Sequence, residues 1–280
     1  MEYAALYRAG RQRLEEAGVP DADLDARLLL EAVTGEGRNT LLAHGDKPVS
    51  GEQEAEYEQF LAKRAQRVPL QYITGRQSFM GLAFLVNENV LIPRQDTEIL
   101  VEEVMREPYD GSRILDLCTG SGCILLSLLH YSNDCSGLGL DISTGAVETA
   151  KENARLLDME ERAVFLQSDL LEKAEGSFDI ITANPPYIRT DVIETLMPEV
   201  RDYEPALALD GGAEGLHFYR RILTEAVPYI KGGTRLYFEI GFDQGESVSR
   251  LMEEAGFTDV TVVKDYAGCD RVVKGVYRGA

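Results

Sequence analysis

"RILDLCTGSGCILLSLL" (113–129) joins a short apolar run to a longer one through a turn that carries two glycines, Gly120 and Gly122. "ILDLC" has the length of a buried strand and "GCILLSLLH" that of a helix. A strand, a glycine turn and a helix together aim backbone N–H groups at whatever lies outside the strand end. The frame Cys118-Thr119-Gly120-Ser121-Gly122-Cys123 lacks two of the three glycines of G-x-G-x-x-G, which argues against a dinucleotide. By itself such a turn is also an ordinary strand-to-helix connection.

Working outward, strands alternate with helices. "SGLGLDIS", "AVFLQSDLL", "FDIITANPPYI" and "GTRLYFEIG" read as strands, separated by helical segments such as "GAVETAKENARLLDM" and "GLHFYRRILTEAVPYI". That alternation predicts a parallel sheet with right-handed crossovers. The last two strand-like runs, "TDVTVVKDY" and "DRVVKGVYR", are separated by only "AGC", so they must pair antiparallel. The expected fold class is therefore α/β, a mostly parallel sheet closed by a C-terminal antiparallel hairpin. A small all-helical domain precedes it. Residues 1–74 repeat apolar side chains at helical spacing, and Ser50 with Gln53 has the spacing of a capping box. Residues 75–92 read as a β-hairpin linker with its turn at Asn87-Glu88-Asn89, and residues 93–280 as the second domain.

Composition narrows the function classes. The 280 residues carry 48 acidic against 28 basic side chains, a formal net charge of −20. Residues 1–90 account for −4 and the remainder for −16. Tight binding to a polyanion needs clustered Lys and Arg, so direct nucleic-acid binding is not expected. The compact basic cluster Lys63, Arg64, Arg67 and Arg76 reads as a solvated helix face. Four cysteines without a C-x-x-C pair, and three histidines, offer no metal spacing and fit a reducing compartment. No apolar run approaches the roughly 18 residues that span a bilayer. A cytoplasmic monomer without metal or membrane is expected.

Three successive strand ends carry groups that suit an adenosine. Asp141 follows Gly122 by 19 residues, where a carboxylate can accept both hydroxyls of a ribose. Ser168-Asp169-Leu170 brings an acid and an apolar side chain to the next strand end, fit for an adenine amino group and ring face. The fourth strand ends in Asn184-Pro185-Pro186-Tyr187. The prolines stiffen this loop and remove two backbone donors, so the Asn184 amide oxygen and the Pro185 carbonyl can accept both hydrogens of a planar NH2 group. Tyr187 can cover its face. Fixing both hydrogens points a weakly nucleophilic nitrogen at an electrophile.

Together "DLCTGSGC", "LGLDIS", "QSD" and "NPPYI" resemble the seven-stranded, Rossmann-like, S-adenosylmethionine-dependent methyltransferases that modify planar nitrogens. "PLQYITGRQSFMGLAFLVNENVLIPRQDTEILVE" and "VRDYEPALALDGGAEGLHFYRRI" extend the resemblance to the HemK/PrmC family over nearly the whole chain. The resemblance implies methylation of the glutamine in the Gly-Gly-Gln motif of peptide chain release factors. It implies S-adenosyl-L-methionine contacts from Cys118, Thr119, Gly120, Ser121, Gly122, Asp141, Asp169, Leu170 and Asn184. Catalysis falls to Asn184, Pro185 and Tyr187, with Pro186 completing the substrate loop, and protein recognition to residues 1–74. Gln95, Cys118, Leu170 and His217 depart from the commonest family pattern. Two other classes remain open, a nucleic-acid adenine amino methyltransferase and a non-catalytic nucleotide-binding interaction module.

Overall fold

The structure is a computed structural model, and it describes residues 1–279. Two compact units emerge: Met1–Gly75 together with Met197–Tyr203, and Arg76–Leu196 together with the described residues from Glu204 onward.

In the first unit, helices α1 (Tyr3–Glu16), α2 (Ala22–Thr34), α3 (Arg38–Ala43), α4 (Gly51–Ala65) and α5 (Leu70–Thr74) enclose a core of Leu6, Leu14, Leu29, Leu30, Tyr57 and Leu61. The expected capping box is present at the start of α4. The Ser50 hydroxyl accepts from the Gln53 amide, and the Gln53 side chain accepts from the Ser50 amide. The reading of Lys63, Arg64, Arg67 and Arg76 as a solvated face is corrected for two members. Arg64 is buried, with Nε 2.6 Å from Asp25 and a terminal nitrogen 3.0 Å from Glu199. Arg67 binds both oxygens of the same Glu199. A carboxylate supplied 132 residues later in the chain turns these cations inward, a partner that a local charge count cannot see.

The second unit opens with the hairpin β1 (Arg76–Phe79) and β2 (Leu82–Leu85). Its turn is Met80-Gly81, not Asn87–Asn89. Both turn residues have positive φ, 51° and 74°, the geometry whose twist matches flanking strands. Asn87 instead folds the following segment locally, its side-chain oxygen accepting from the Asn89 amide.

The main sheet contains β3 (Arg113–Leu117), β4 (Ser136–Asp141), β5 (Ala163–Gln167), β6 (Ile180–Ala183), β7 (Arg235–Glu239), β8 (Phe257–Lys264) and β9 (Asp270–Tyr277), in the order β5-β4-β3-β6-β7-β9-β8. The five strands β3 to β7 are parallel; β9 runs antiparallel to β7 and to β8, as the short connection of residues 265–269 requires. Side chains alternate between two apolar layers. Ile114, Ile180 and Tyr237 enter one with α6 (Gln95–Met105), α7 (Cys123–His130) and α8 (Thr144–Leu156); Leu115, Ile181 and Phe238 enter the other. After α9 (Pro198–Arg201), helices α10 (His217–Glu225) and α11 (Gly245–Glu254) cover that second face. Among the described residues no helix is long and apolar enough to cross a membrane.

Candidate active site

Chain direction across the sheet reverses between β3 and β6, because β3 leads to β4 and β5 on one side while β6 and β7 lie on the other. A crevice opens outside the carboxyl ends of strands at such a reversal. Here it is a cavity of about 330 Å³, the size of a small-molecule site.

The floor is the turn after β3. Cys118, Gly120 and Gly122 all have positive φ (56°, 55° and 78°) and fold the chain back on itself before α7 begins. Cys118 is the member without a glycine's freedom; a side chain in this region strains the backbone. At Gly122 a Cβ would also come within 3.0 Å of the Phe165 ring. Beneath the turn, Asp116 is fully buried and accepts from the hydroxyls of Thr119 (2.6 Å) and Thr182 (2.7 Å). It thus ties the turn to the strand that leads to Asn184. Burial lifts its carboxyl to about 7, against the lowering effect of those two hydroxyls.

Asp141 stands at the end of β4. Its two oxygens accept from the amides of Gly120 and Ser143, each at 2.9 Å. Burial raises its pKa, while the amides of Ser143, Gly120 and Ile142 pull it down. A carboxylate has about four lone-pair sites, so two backbone bonds leave acceptor capacity toward the cavity. Asp169 accepts from Arg221 at 3.0 Å, and the buried Leu170 adopts a positive φ of 46° that turns the chain beside the crevice.

On the opposite wall, the Asn184 side-chain nitrogen donates to the Thr97 hydroxyl at 3.5 Å, and the Tyr187 hydroxyl donates to Glu239 at 3.2 Å. Burial raises the pKa of both Tyr187 and Glu239. The glycines of "DGGAEG" let a second segment press on this loop. A Cβ on Gly211 would lie 2.7 Å from the Tyr187 Cα, and one on Gly215 only 2.4 Å from its carbonyl oxygen. Gln244 closes the packing by donating to the carbonyls of Tyr187 and Gly215.

Of the residues singled out in the sequence, Cys118, Thr119, Gly120, Ser121, Asp141, Asp169, Leu170, Asn184 and Pro186 line this one cavity. Gly122, Pro185 and Tyr187 do not line it. Gly122 supports the turn from behind, Pro185 is buried, and Tyr187 is directed toward Glu239. Sequence reasoning missed the other wall, formed by the segment from Glu88 to Thr97 with Leu207 and Phe218. Glu204 holds that segment by accepting from the Ile92 amide and pairing with Arg94. Asn153 binds β2 to the turn, donating to the carbonyls of Leu85 and Ser121. A carboxylate backed by amides, a turn at a helix start and an amide facing it fit an adenosyl group bearing an amino acid. Among the described residues no cluster of three His, Cys, Asp or Glu could hold a metal ion.

Comparison with known proteins agrees in both units. A family model described as the PrmC N-terminal domain matches residues 5–75, and one described as the methyltransferase small domain matches residues 94–199. A protein named release factor glutamine methyltransferase from Caulobacter vibrioides is 42% identical over 273 residues, 96% of this chain and 94% of its own. A second of that name, from Agrobacterium fabrum, is 42% identical over 271 residues, 95% of this chain and 94% of its own. A solved methyltransferase from Pyrococcus furiosus shares the fold with a TM-score of 0.55 at 16% identity, over 82% of this chain and all 100% of that one.

Proposed function

This chain belongs to the release factor glutamine methyltransferase family, and from that premise we infer how its residues divide the reaction. It is a protein-glutamine N-methyltransferase that uses S-adenosylmethionine and acts on the glutamine of the Gly-Gly-Gln motif in peptide chain release factors. S-adenosylmethionine, when bound, supplies a methyl group on a positively charged sulfur. The turn from Cys118 to Gly122 holds the cofactor through backbone amides, Asp141 accepts from its ribose hydroxyls, and Asp169 with Leu170 borders the adenine.

The glutamine amide is assigned to Asn184 and the Pro185 carbonyl. An amide nitrogen shares its lone pair with its carbonyl, so it reacts only when held in line. Two acceptors, one for each N–H, set that line. Tyr187, anchored by Glu239 beside the cavity and not in its lining, is proposed to cover the amide's planar face from there. No base is required before transfer, because the nitrogen becomes acidic only once it carries the methyl group. The observation that supports this division is that Asn184 and the turn from Cys118 to Ser121 directly follow adjacent strands, β6 and β3, and line the same cavity.

Residues 1–74 are proposed to recognise the folded release factor, since the reacting groups all lie in the second unit. The chain is proposed to act as a cytoplasmic monomer, because one copy carries every group the crevice needs and release factors work at the ribosome. The Asn-Pro-Pro-aromatic loop also suits an exocyclic base amine, so the discriminating assay offers labelled cofactor with a release factor, a duplex oligonucleotide or no substrate. Label is expected in the release factor alone. Label in the oligonucleotide instead would replace the protein substrate by a nucleic acid.

A further inference from the structure

Phe218, the second residue of α10, is half-buried and lines the cavity. Among the described residues it is the one aromatic that does so, and the division of the reaction gives it no part. The flat, apolar part of an S-adenosyl group is its adenine. Leu170 can touch that ring but has no π-face to stack on it.

Two sets of contacts fix where Phe218 stands. Arg221, three residues further on, lies on the same side of α10. Its guanidinium donates to Asp169 at 3.0 Å and to Glu225 at 2.9 Å. That side of the helix is thereby pinned to the residues that follow β5. Phe218 accordingly packs against the apolar layer that contains Leu170, and both line the cavity. The neighbouring His217 ring braces Phe218, with centroids 5.1 Å apart and planes at 81°.

An aromatic ring in this cavity has two uses, to stack on the base or to face the positive sulfur. Position separates them. The sulfur must lie by Asn184, after β6, for its methyl group to meet the glutamine nitrogen. The order β5-β4-β3-β6 sets the end of β5 three strand spacings, roughly 14 Å, from that of β6. A ring tied to the β5 end is therefore beside the base. We infer that Phe218 stacks on the adenine of S-adenosylmethionine and supplies a large share of the cofactor's affinity. This rests on the reading of Asp169 and Leu170 as the adenine border.

The test is calorimetric titration of the intact chain with S-adenosylmethionine and with S-adenosylhomocysteine, which keeps the adenine but has a neutral sulfur. Phe218→Leu, which keeps apolar bulk and loses the ring, should bind both about fivefold or more weakly, by factors that agree within about twofold. Phe218→Tyr, which keeps the ring, should recover most of that loss. Phe218→Met is a second ringless variant and decides the matter if Phe218→Leu does not fold. Unchanged affinity without the ring, a loss confined to S-adenosylmethionine, or a Phe218→Tyr as weak as Phe218→Leu overturns the inference.

Nuclear Overhauser contacts from the adenine protons of bound S-adenosylhomocysteine, in chain labelled at Phe rings and Leu methyls, separate this inference from the reading beneath it. Contacts to both Phe218 and Leu170 are expected. Contacts to Leu170 alone overturn the inference and keep the adenine border, whereas contacts to neither overturn both.

Discussion

The two walls of the crevice are built from different materials. The wall from the ends of β3, β4 and β5 is mostly backbone: a turn with three positive φ angles and amides of Gly120 and Ser143 gathered by Asp141. The wall from β6 and β7 is mostly side chain: Asn184 on Thr97, and Tyr187 on Glu239. Backbone is positioned by the local sequence that folds it. A side chain must be held by other side chains, and these come from wherever the fold brings them. Substitutions on the first wall should therefore change cofactor affinity or stability, and substitutions on the second should change turnover.

The sharpest break of that contrast is Asn184→Ala. If Asn184 is the acceptor proposed above, its loss misplaces the reacting nitrogen, and a displacement of about 1 Å costs on the order of a hundredfold in rate. Single-turnover kinetics should show that loss with cofactor affinity nearly unchanged. Asp141→Ala is the complement. Removing bonds from a charged acceptor costs about 1.5–3 kcal/mol, roughly ten- to hundredfold in affinity, with turnover at saturation largely kept. Calorimetry and saturated rates on both variants test the pair, and a turnover defect in Asp141→Ala as large as that of Asn184→Ala would erase the distinction.

Gly122→Ala addresses backbone alone. A Cβ there combines φ of 78° with contacts of 3.0 Å to Phe165 and 3.2 Å to Leu126. The conformational part costs about 1–2 kcal/mol, so denaturant unfolding should shift to a lower midpoint with an unchanged slope. The smallest effect belongs to Asp116→Asn. Asp116 holds its proton to about pH 7 in the folded chain, whereas an unfolded aspartate releases it near pH 4. Between those values the folded state binds more protons, so this group's contribution to stability falls as pH rises and levels off above about 7. The amide of the variant carries no such proton. The stability of the variant relative to the parent should climb across that window, read from melting temperatures at stepped pH, and a flat difference would remove the titration from Asp116.

The legibility of the site follows the same division. Cys118 to Gly122, Asp141 and Asp169 are visible in the sequence because a strand, a turn and a helix are local patterns, and each acid follows its own strand. The C-terminal hairpin is visible because so short a connection, five residues between Lys264 and Asp270, cannot bridge parallel strands. Thr97 and Glu239 are not, since they lie 87 and 55 residues from Asn184 in sequence and reach its neighbourhood only because β7 pairs with β6 and α6 packs on β7. The hairpin turn is misplaced by sequence for a related reason. Asn87 and Asn89 have turn chemistry, but Met80-Gly81 carries the two positive φ angles, and a methionine there gives no local signal. Arg64 and Arg67 look solvated in sequence because Glu199, their partner, arrives from a distant segment.

The proposed recognition role of the first unit can be tested in the same spirit. Hydrogen exchange within residues 1–75 should slow when a whole release factor is added and stay unchanged with a short Gly-Gly-Gln peptide. Equal protection by both, or none, would move recognition to the second unit.

The central claim is that this crevice places a methyl group on the side-chain nitrogen of one glutamine. The most direct measurement is mass spectrometry of release factor peptides after incubation with the intact chain and isotopically labelled S-adenosylmethionine. The account predicts a single labelled methyl on the glutamine of the Gly-Gly-Gln peptide, and none on that peptide when the glutamine is replaced by glutamate. Label on another residue, or a Gly-Gly-Gln peptide without label beside an active cofactor-binding enzyme, contradicts it.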